Sequence, residues 1–162
     1  MAEEHAPWLS PDSRAWAARI RRSHSHAFRR PLLANRHNCS PNARVSCQEL
    51  FAAPWPVLAH NDSSDPALVY ANAAALKLWQ RRWAQMVGMP SRLSASANQR
   101  LSRREQLELA KRQDKLENYS GVRVNSQGRR FQIRGARIWS LIDQERHYSG
   151  QAACFSQWWW EP

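Results

Sequence analysis

Three segments near the end of the chain constrain the fold most. In Tyr119–Asn125, Arg130–Ile142 and His147–Trp158 the side chains alternate, as in strands with two different faces. Ser126-Gln127-Gly128 separates the first two and Asp143-Gln144-Glu145-Arg146 the last two. Glycine and Asx residues favour tight reversals. Connections this short make the pairing antiparallel, because a parallel crossover needs a dozen or more residues. Gly135-Ala136 is the expected place for a bulge in the middle strand.

Upstream, Pro56–His60 is a short apolar run closed by the turn cluster Asn61-Asp62-Ser63-Ser64-Asp65-Pro66, and Ala67–Tyr70 follows. Two runs so joined read as a hairpin, with Pro56–His60 placed beside the last strand. Asn72 stands where a helix N-cap belongs. Leu76, Trp79 and Trp83 then recur on one face of a helix over Ala73–Trp83. Met86 to Pro90 closes that helical region. Asn98 can cap a longer helix reaching Leu116 or Glu117, with Leu101, Leu109 and Leu116 as its seam and Leu107 and Ala110 adjoining. A short helix is expected over Glu49–Ala53, after a polar linker from Leu33 to Ser46. The order of elements, two strands, then helices, then three strands, makes the class α+β.

Several blocks in register narrow this further. They are Asp65-Pro66, Tyr70-Ala71-Asn72-Ala73-Ala74-Ala75-Leu76, Pro90-Ser91-Arg92-Leu93-Ser94-Ala95, Tyr119-Ser120-Gly121-Val122-Arg123-Val124, Gly128-Arg129-Arg130-Phe131, and Gly150-Gln151-Ala152-Ala153 running to Trp158. In order and spacing this series resembles the MEKHLA family, from Leu50 to Trp158. The resemblance implies a PAS-like sensory or interaction fold, one antiparallel five-stranded sheet with helices across one face, with no assigned reaction. It divides the chain into a basic helix and linker at 1–48, the domain at 49–158, and a Trp-rich tail at 159–162.

The N-terminal segment has its own character. Ser10-Pro11-Asp12 is a helix start, and Trp16, Ile20, Ala27 and Phe28 recur at near-helical spacing before Pro31 ends the run. Arg14, Arg19, Arg21, Arg22, Arg29, Arg30, Arg36 and Arg44 lie in a stretch, 13–48, that holds no acid. The whole chain carries a formal charge of +11, which favours anionic partners. Three roles fit this amphipathic basic helix. It packs on its own domain, serves as an arm toward a membrane surface or nucleic acid, or uses Trp16, Ile20 and Phe28 to pair with a second copy, and a homodimer is expected.

Three cysteines, Cys39, Cys47 and Cys154, follow no framework spacing, which fits a reduced compartment. The first residues lack a basic region followed by an apolar stretch, and nowhere do about 18 apolar residues run together. The expectation is a cytoplasmic protein with no membrane span.

Motifs for chemistry are sparse. His37, Cys39 and Cys47 offer soft ligands, but the spacing matches no paired zinc pattern and a fourth ligand is missing. Asn38-Cys39 looks like the start of the flavin-binding cysteine motif of light-sensing PAS relatives. It precedes the first strand, however, and 84–98, the equivalent position, contains no Cys. The Asn98–Glu117 helix has no His to hold haem, and His60 and His147 sit at strand ends. No nucleophile–base set, phosphate loop or His-Glu-x-x-His stands out, so no catalytic residue and no metal ligand is assigned, and the cofactor is unknown.

The candidate ligand pocket comprises Tyr70, Asn72, Trp79, Ser91, Arg92, Tyr119, Phe131, Trp139 and Phe155. Arg92 offers a fork suited to carboxylate or phosphate; its plainer role is to tether its loop to Asp62 or Asp65. The aromatic residues are equally explained as core. In Trp158-Trp159-Trp160 at least one ring must face out, since neighbours on a strand point to opposite sides. The function expected is a non-enzymatic sensory or protein-interaction module that binds a small ligand between sheet and helices. The alternative is a basic nucleic-acid or anionic-surface binder, weak and without sequence readout.

Overall fold

The computed structural model describes residues 5–33 and 42–162. His37 and Cys39, considered above as ligands, lie outside the described residues. Among the described residues five α-helices and six strands run in the order α1 (Pro11–Phe28), α2 (Ala43–Phe51), β1 (Val57–Asn61), β2 (Leu68–Ala71), α3 (Ala73–Trp79), α4 (Trp83–Met86), α5 (Arg100–Gln113), β3 (Lys115–Val124), β4 (Arg130–Ile142), β5 (Tyr148–Cys154) and β6 (Gln157–Trp160). The sheet is antiparallel, in the order β2-β1-β5-β4-β3. The long β4 carries β5 along one half of an edge and β6 along the other. One strand expected over His147–Trp158 is therefore two, broken at Phe155-Ser156, and the sheet has six strands rather than five.

Strand alternation sorts the sheet into two cores. Val57, Ala59, Tyr70, Trp139, Leu141, Ala152 and Cys154 face one way, under Ile20 of α1 and Leu50 of α2. Phe131, Ile133, Ala136, Ile138 and Phe155 face the other way, under Ala75, Leu78 and Trp79 of α3, Met86 of α4 and Ala110 of α5. Helices thus cover both faces, where the sequence pointed to one. Segment 11–28 is the reason. Its apolar stripe fills the second face, with Ile20 fully buried.

Local chemistry explains the ends of the elements. Ser10 accepts from the Ser13 N–H, Pro11 occupies the first turn and Asp12 opposes the helix dipole, as the sequence predicts. α5 stops earlier than expected, because Asp114 takes a left-handed conformation (φ 65°) and Leu116 goes on to pair with Ile138 in β3. The intended seam residue Leu101 is 69% exposed; Leu107 and Ala110 pack inward instead. The helix expected over Ala73–Trp83 is broken after Trp79 by a left-handed Gln80. α2 begins at Ala43, inside the stretch read as linker, with Asn42 capping it. Register shifts flank Tyr119 on β3, and Gly135 (φ 67°) supplies the bulge on β4 where it was expected.

Candidate functional site

Between the sheet and α5 lies a cavity of about 60 Å³. Its walls are mostly carbon: Leu58, Leu68, Trp79, Ile133, Ile138 and Phe155. One corner is polar, made by His60, Arg103, Tyr119, Arg123 and Gln151. Sheet register builds this corner. His60 on β1 pairs with Gln151 on β5, and Gln151 with Ser140 on β4, so three polar residues form a row across three strands. The next row on that face is Leu58, Ala153 and Ile138. The cavity is therefore amphipathic by construction.

Its polar groups are only partly satisfied. Gln151 donates through Nε2 to the Leu107 carbonyl at 2.9 Å, tying β5 to α5. Arg123, buried at 8% exposure, donates to the Tyr119 hydroxyl at 3.1 Å and to the Val122 carbonyl at 3.0 Å. His60 Nδ1 lies 2.7 Å from the Asn61 carbonyl, so it carries the proton and donates. The buried Nε2 on its other side makes no hydrogen bond of good geometry, although the Gln151 side chain lies close to the ring. Burial lowers the His60 pKa, which keeps the ring neutral. Arg103 is pushed down from the usual arginine range by burial and by the neighbouring Arg123 guanidinium.

The nine pocket residues expected from sequence are dispersed. Trp79, Tyr119 and Phe155 line the cavity. Phe131 stacks edge-on against Trp79, with centroids 5.0 Å apart, in the core beside it. Ser91 and Arg92 border an outer cleft, where Arg92 makes a two-pronged bond to Asp65 at 3.1 and 3.3 Å. That is the tethering role. Asn72 is fully buried outside the cavity and caps α3. Tyr70 and Trp139 are corrections: alternation turns them to the opposite face, beneath the N-terminal helices.

The proposed pairing surface on α1 needs correcting too. Ile20 is fully buried within its own chain, and Trp16 and Phe28 pack against the same core. The helix is stitched to the sheet by bonds from Trp139 Nε1 to the Ile20 carbonyl and from the Ile142 N–H to Ser23 Oγ. Trp158 and Trp159 are exposed at 36% and 48%, as the consecutive-ring argument requires.

Sequence reasoning missed Arg103, Arg123 and Gln151 as site residues. One signal for Arg103 was present: it shares a helical face with Leu107 and Ala110, at i, i+4 and i+7, so it sits on the apolar side of α5.

The MEKHLA domain pattern matches residues 14–160, from within α1 to the end of β6. The chain belongs to the MEKHLA domain family. Solved structures that resemble this MEKHLA protein are PAS and LOV domains. The PAS domain of a Colwellia psychrerythraea protein aligns with a TM-score of 0.60 at 9% identity, over 70% of this chain and 94% of the other. An RNA-binding light-oxygen-voltage receptor gives 0.61 at 14% identity, over 70% of this chain and 32% of the receptor. The LOV domain of a blue-light-activated histidine kinase from Erythrobacter litoralis gives 0.54 at 18%, over 64% and 95%. At these identities the likeness establishes the fold. No curated protein matches the chain. Among the described residues no helix is long and apolar enough to cross a membrane, and no group of three His, Cys, Asp or Glu residues is placed to hold a metal.

Proposed function

We propose that this MEKHLA domain is a non-enzymatic sensory or interaction module that binds a small ligand in the cavity between sheet and α5. The observation that carries this reading is the buried polar corner, with His60 Nε2 making no hydrogen bond of good geometry, set in an otherwise apolar cavity. A buried polar atom left poorly paired is costly, and a ligand or an ordered water would satisfy it. Binding there would favour one placement of α5, because Arg103 and the Leu107 carbonyl on that helix both contact the site. The signal is then a population shift in what the α5 surface presents to a partner.

Flavin does not fit. Cofactor-sized sites run to about 300–1,000 Å³, far above the cavity found here. The described cysteines, Cys47 and Cys154, are buried in the core on the other face of the sheet. The alternative of a basic anionic-surface binder is weakened, because three of the four arginines of α1 have partners within the chain. Arg21 bonds Ser46 and Glu49, Arg22 bonds the Ile142 carbonyl, and Arg19 stacks on Trp16.

Native mass spectrometry of freshly purified protein tests the ligand reading. The expected result is a retained small mass that leaves on mild activation. Bare protein from several expression hosts, with no added metabolite extract retained, would refute it.

A further inference from the structure

The cavity's charge is unbalanced. Arg103 and Arg123 both line it, one from α5 and one from β3, and among the described residues no carboxylate pairs with either. Arg123 is held by two neutral acceptors, which orient its guanidinium and leave its charge uncompensated. Arginine keeps its proton in proteins, so the pressure that burial and mutual repulsion put on this pair is relieved by an incoming anion.

The same cavity tells which kind of anion. Its apolar walls suit carbon, and its volume of about 60 Å³ holds roughly four to six waters, each needing about 10–15 Å³ of such space, so any chain it holds is short. A guanidinium fork matches the two oxygens of a carboxylate. The cavity also adjoins a cleft at the surface. His60, Arg103, Leu107 and Gln151 also line an outer cleft of about 560 Å³ between the β1–β2 turn and α5. There Arg92, Arg100, Arg104 and Lys111 outnumber Asp62, Asp65 and Glu108. A cleft with that excess concentrates anions.

We propose that the cavity takes a small aliphatic carboxylate, its head on Arg103 and Arg123 and its carbon tail against Leu58, Ile138 and Phe155. The proposal rests on the ligand-site reading above and adds the ligand's charge and class. His60 Nε2 then accepts from a hydroxyl or a water that accompanies the ligand. Arg103 enters from the helix, so the bound anion couples α5 directly to β3.

The test is a titration of the full chain, followed by the methyl NMR signals of Ile133 and Ile138, with butyrate, butyramide and inorganic phosphate as probes in low-salt buffer. Butyrate is expected to shift both methyls. Butyramide has the same shape without the charge and is expected to bind at least about tenfold more weakly, the loss typical of a charge-assisted contact. Arg103→Gln should weaken butyrate by a similar factor and leave butyramide unchanged, while Arg103→Lys recovers part of the difference. If butyramide binds as well as butyrate, the cavity is a ligand site and the carboxylate assignment is wrong. Phosphate shifting the methyls as strongly as butyrate would also overturn the assignment, because the site would then read charge alone. If no probe moves either methyl at saturation, this proposal fails, and retained mass in the native spectrum separately decides whether the cavity holds a ligand at all.

Discussion

The Arg137 guanidinium donates to Nε2 of His24 at 2.9 Å, joining α1 to β4 through a half-buried arginine and a fully buried imidazole. Arginine only donates, so Nε2 is the acceptor, and Nδ1 carries the proton that His24 gives to the Arg30 carbonyl at 3.1 Å. The ring lies between Phe28 and Trp139, with centroids 4.8 and 4.9 Å away. Burial first, and the Arg137 charge second, lower its pKa to about 4.

Acid should therefore loosen α1. The folded protein keeps His24 neutral down to about pH 4, while the unfolded chain takes up that proton below about 6.5. The stabilisation is complete above the unfolded value and is lost as pH falls from there to the folded value, up to about 3 kcal/mol in all. His60, also lowered by burial, adds to the same slope. Urea unfolding near pH 7 and near pH 4.5 should show this loss in the natural chain and a distinctly smaller one in His24→Gln. An unchanged slope in the variant would show that His24 does not carry it.

The role of α1 is checked by Ile20→Ala. Ile20 is fully exposed to the chain's own core, with no solvent access, so truncation should cost about 2–5 kcal/mol. The loss should be the same at low and high protein concentration. If it appears only where the protein self-associates, the helix is a pairing element after all.

Much of this architecture is legible in the sequence, and the failures share a cause. β4 is placed to the residue, because turn signals bracket it and alternation runs its whole length. α1 is legible as a helix down to its cap, yet its destination is not. Periodicity shows that Trp16, Ile20 and Phe28 form a face, while what covers that face is a tertiary fact. Tyr70 and Trp139 fail in the same way: as aromatic residues they belong to a core, and only register says which of two. The cavity is hardest to read. Its polar pair, His60 and Gln151, comes from two strands and exists only once they are paired, and Arg103 and Arg123 join it from α5 and β3.

Asn72 shows how much one buried amide organises. Its Oδ1 accepts from the Val57 and Ala75 N–H groups at 2.9 and 3.1 Å, starting β1 and capping α3. Its Nδ2 donates to the Trp55 carbonyl at 2.8 Å and lies 3.4 Å from the Leu50 and Ala53 carbonyls. Asn72→Ala should cost about 2–4 kcal/mol, from the unpaired groups it leaves. Asn72→Asp should be worse at neutral pH, although aspartate is as good a cap, since a carboxylate oxygen would then face carbonyl oxygens in a buried site. Thermal or urea denaturation of both variants gives the order. Asp equal to Asn would mean that the amide's donor side contributes nothing.

Gly150 is the last test, because it lies where the sheet and the cavity meet. It pairs with Asn61 on one side and Leu141 on the other, next to the His60–Gln151 pair that forms the polar corner. Its φ of 141° is open to glycine and strained for other residues. A β-carbon there would collide with the His60 carbonyl oxygen and come within 3.0 Å of the His60 carbonyl carbon and 3.1 Å of the Asn61 Cα. These are backbone atoms of a paired strand, so they cannot turn aside as a side chain can. Gly150→Ala should therefore cost about 3 kcal/mol or more, combining left-handed strain with overpacking. It should also push β1 away from β5 beside His60 and weaken whatever the cavity holds. Gly128→Ala is the control: φ is 76°, and no atom lies within 4 Å of the new carbon. Strain alone should make it cost about 1–2 kcal/mol and leave the cavity methyls unmoved. Equal losses for the two variants would show that the close approach of β1 to Gly150 is not what sets the cost.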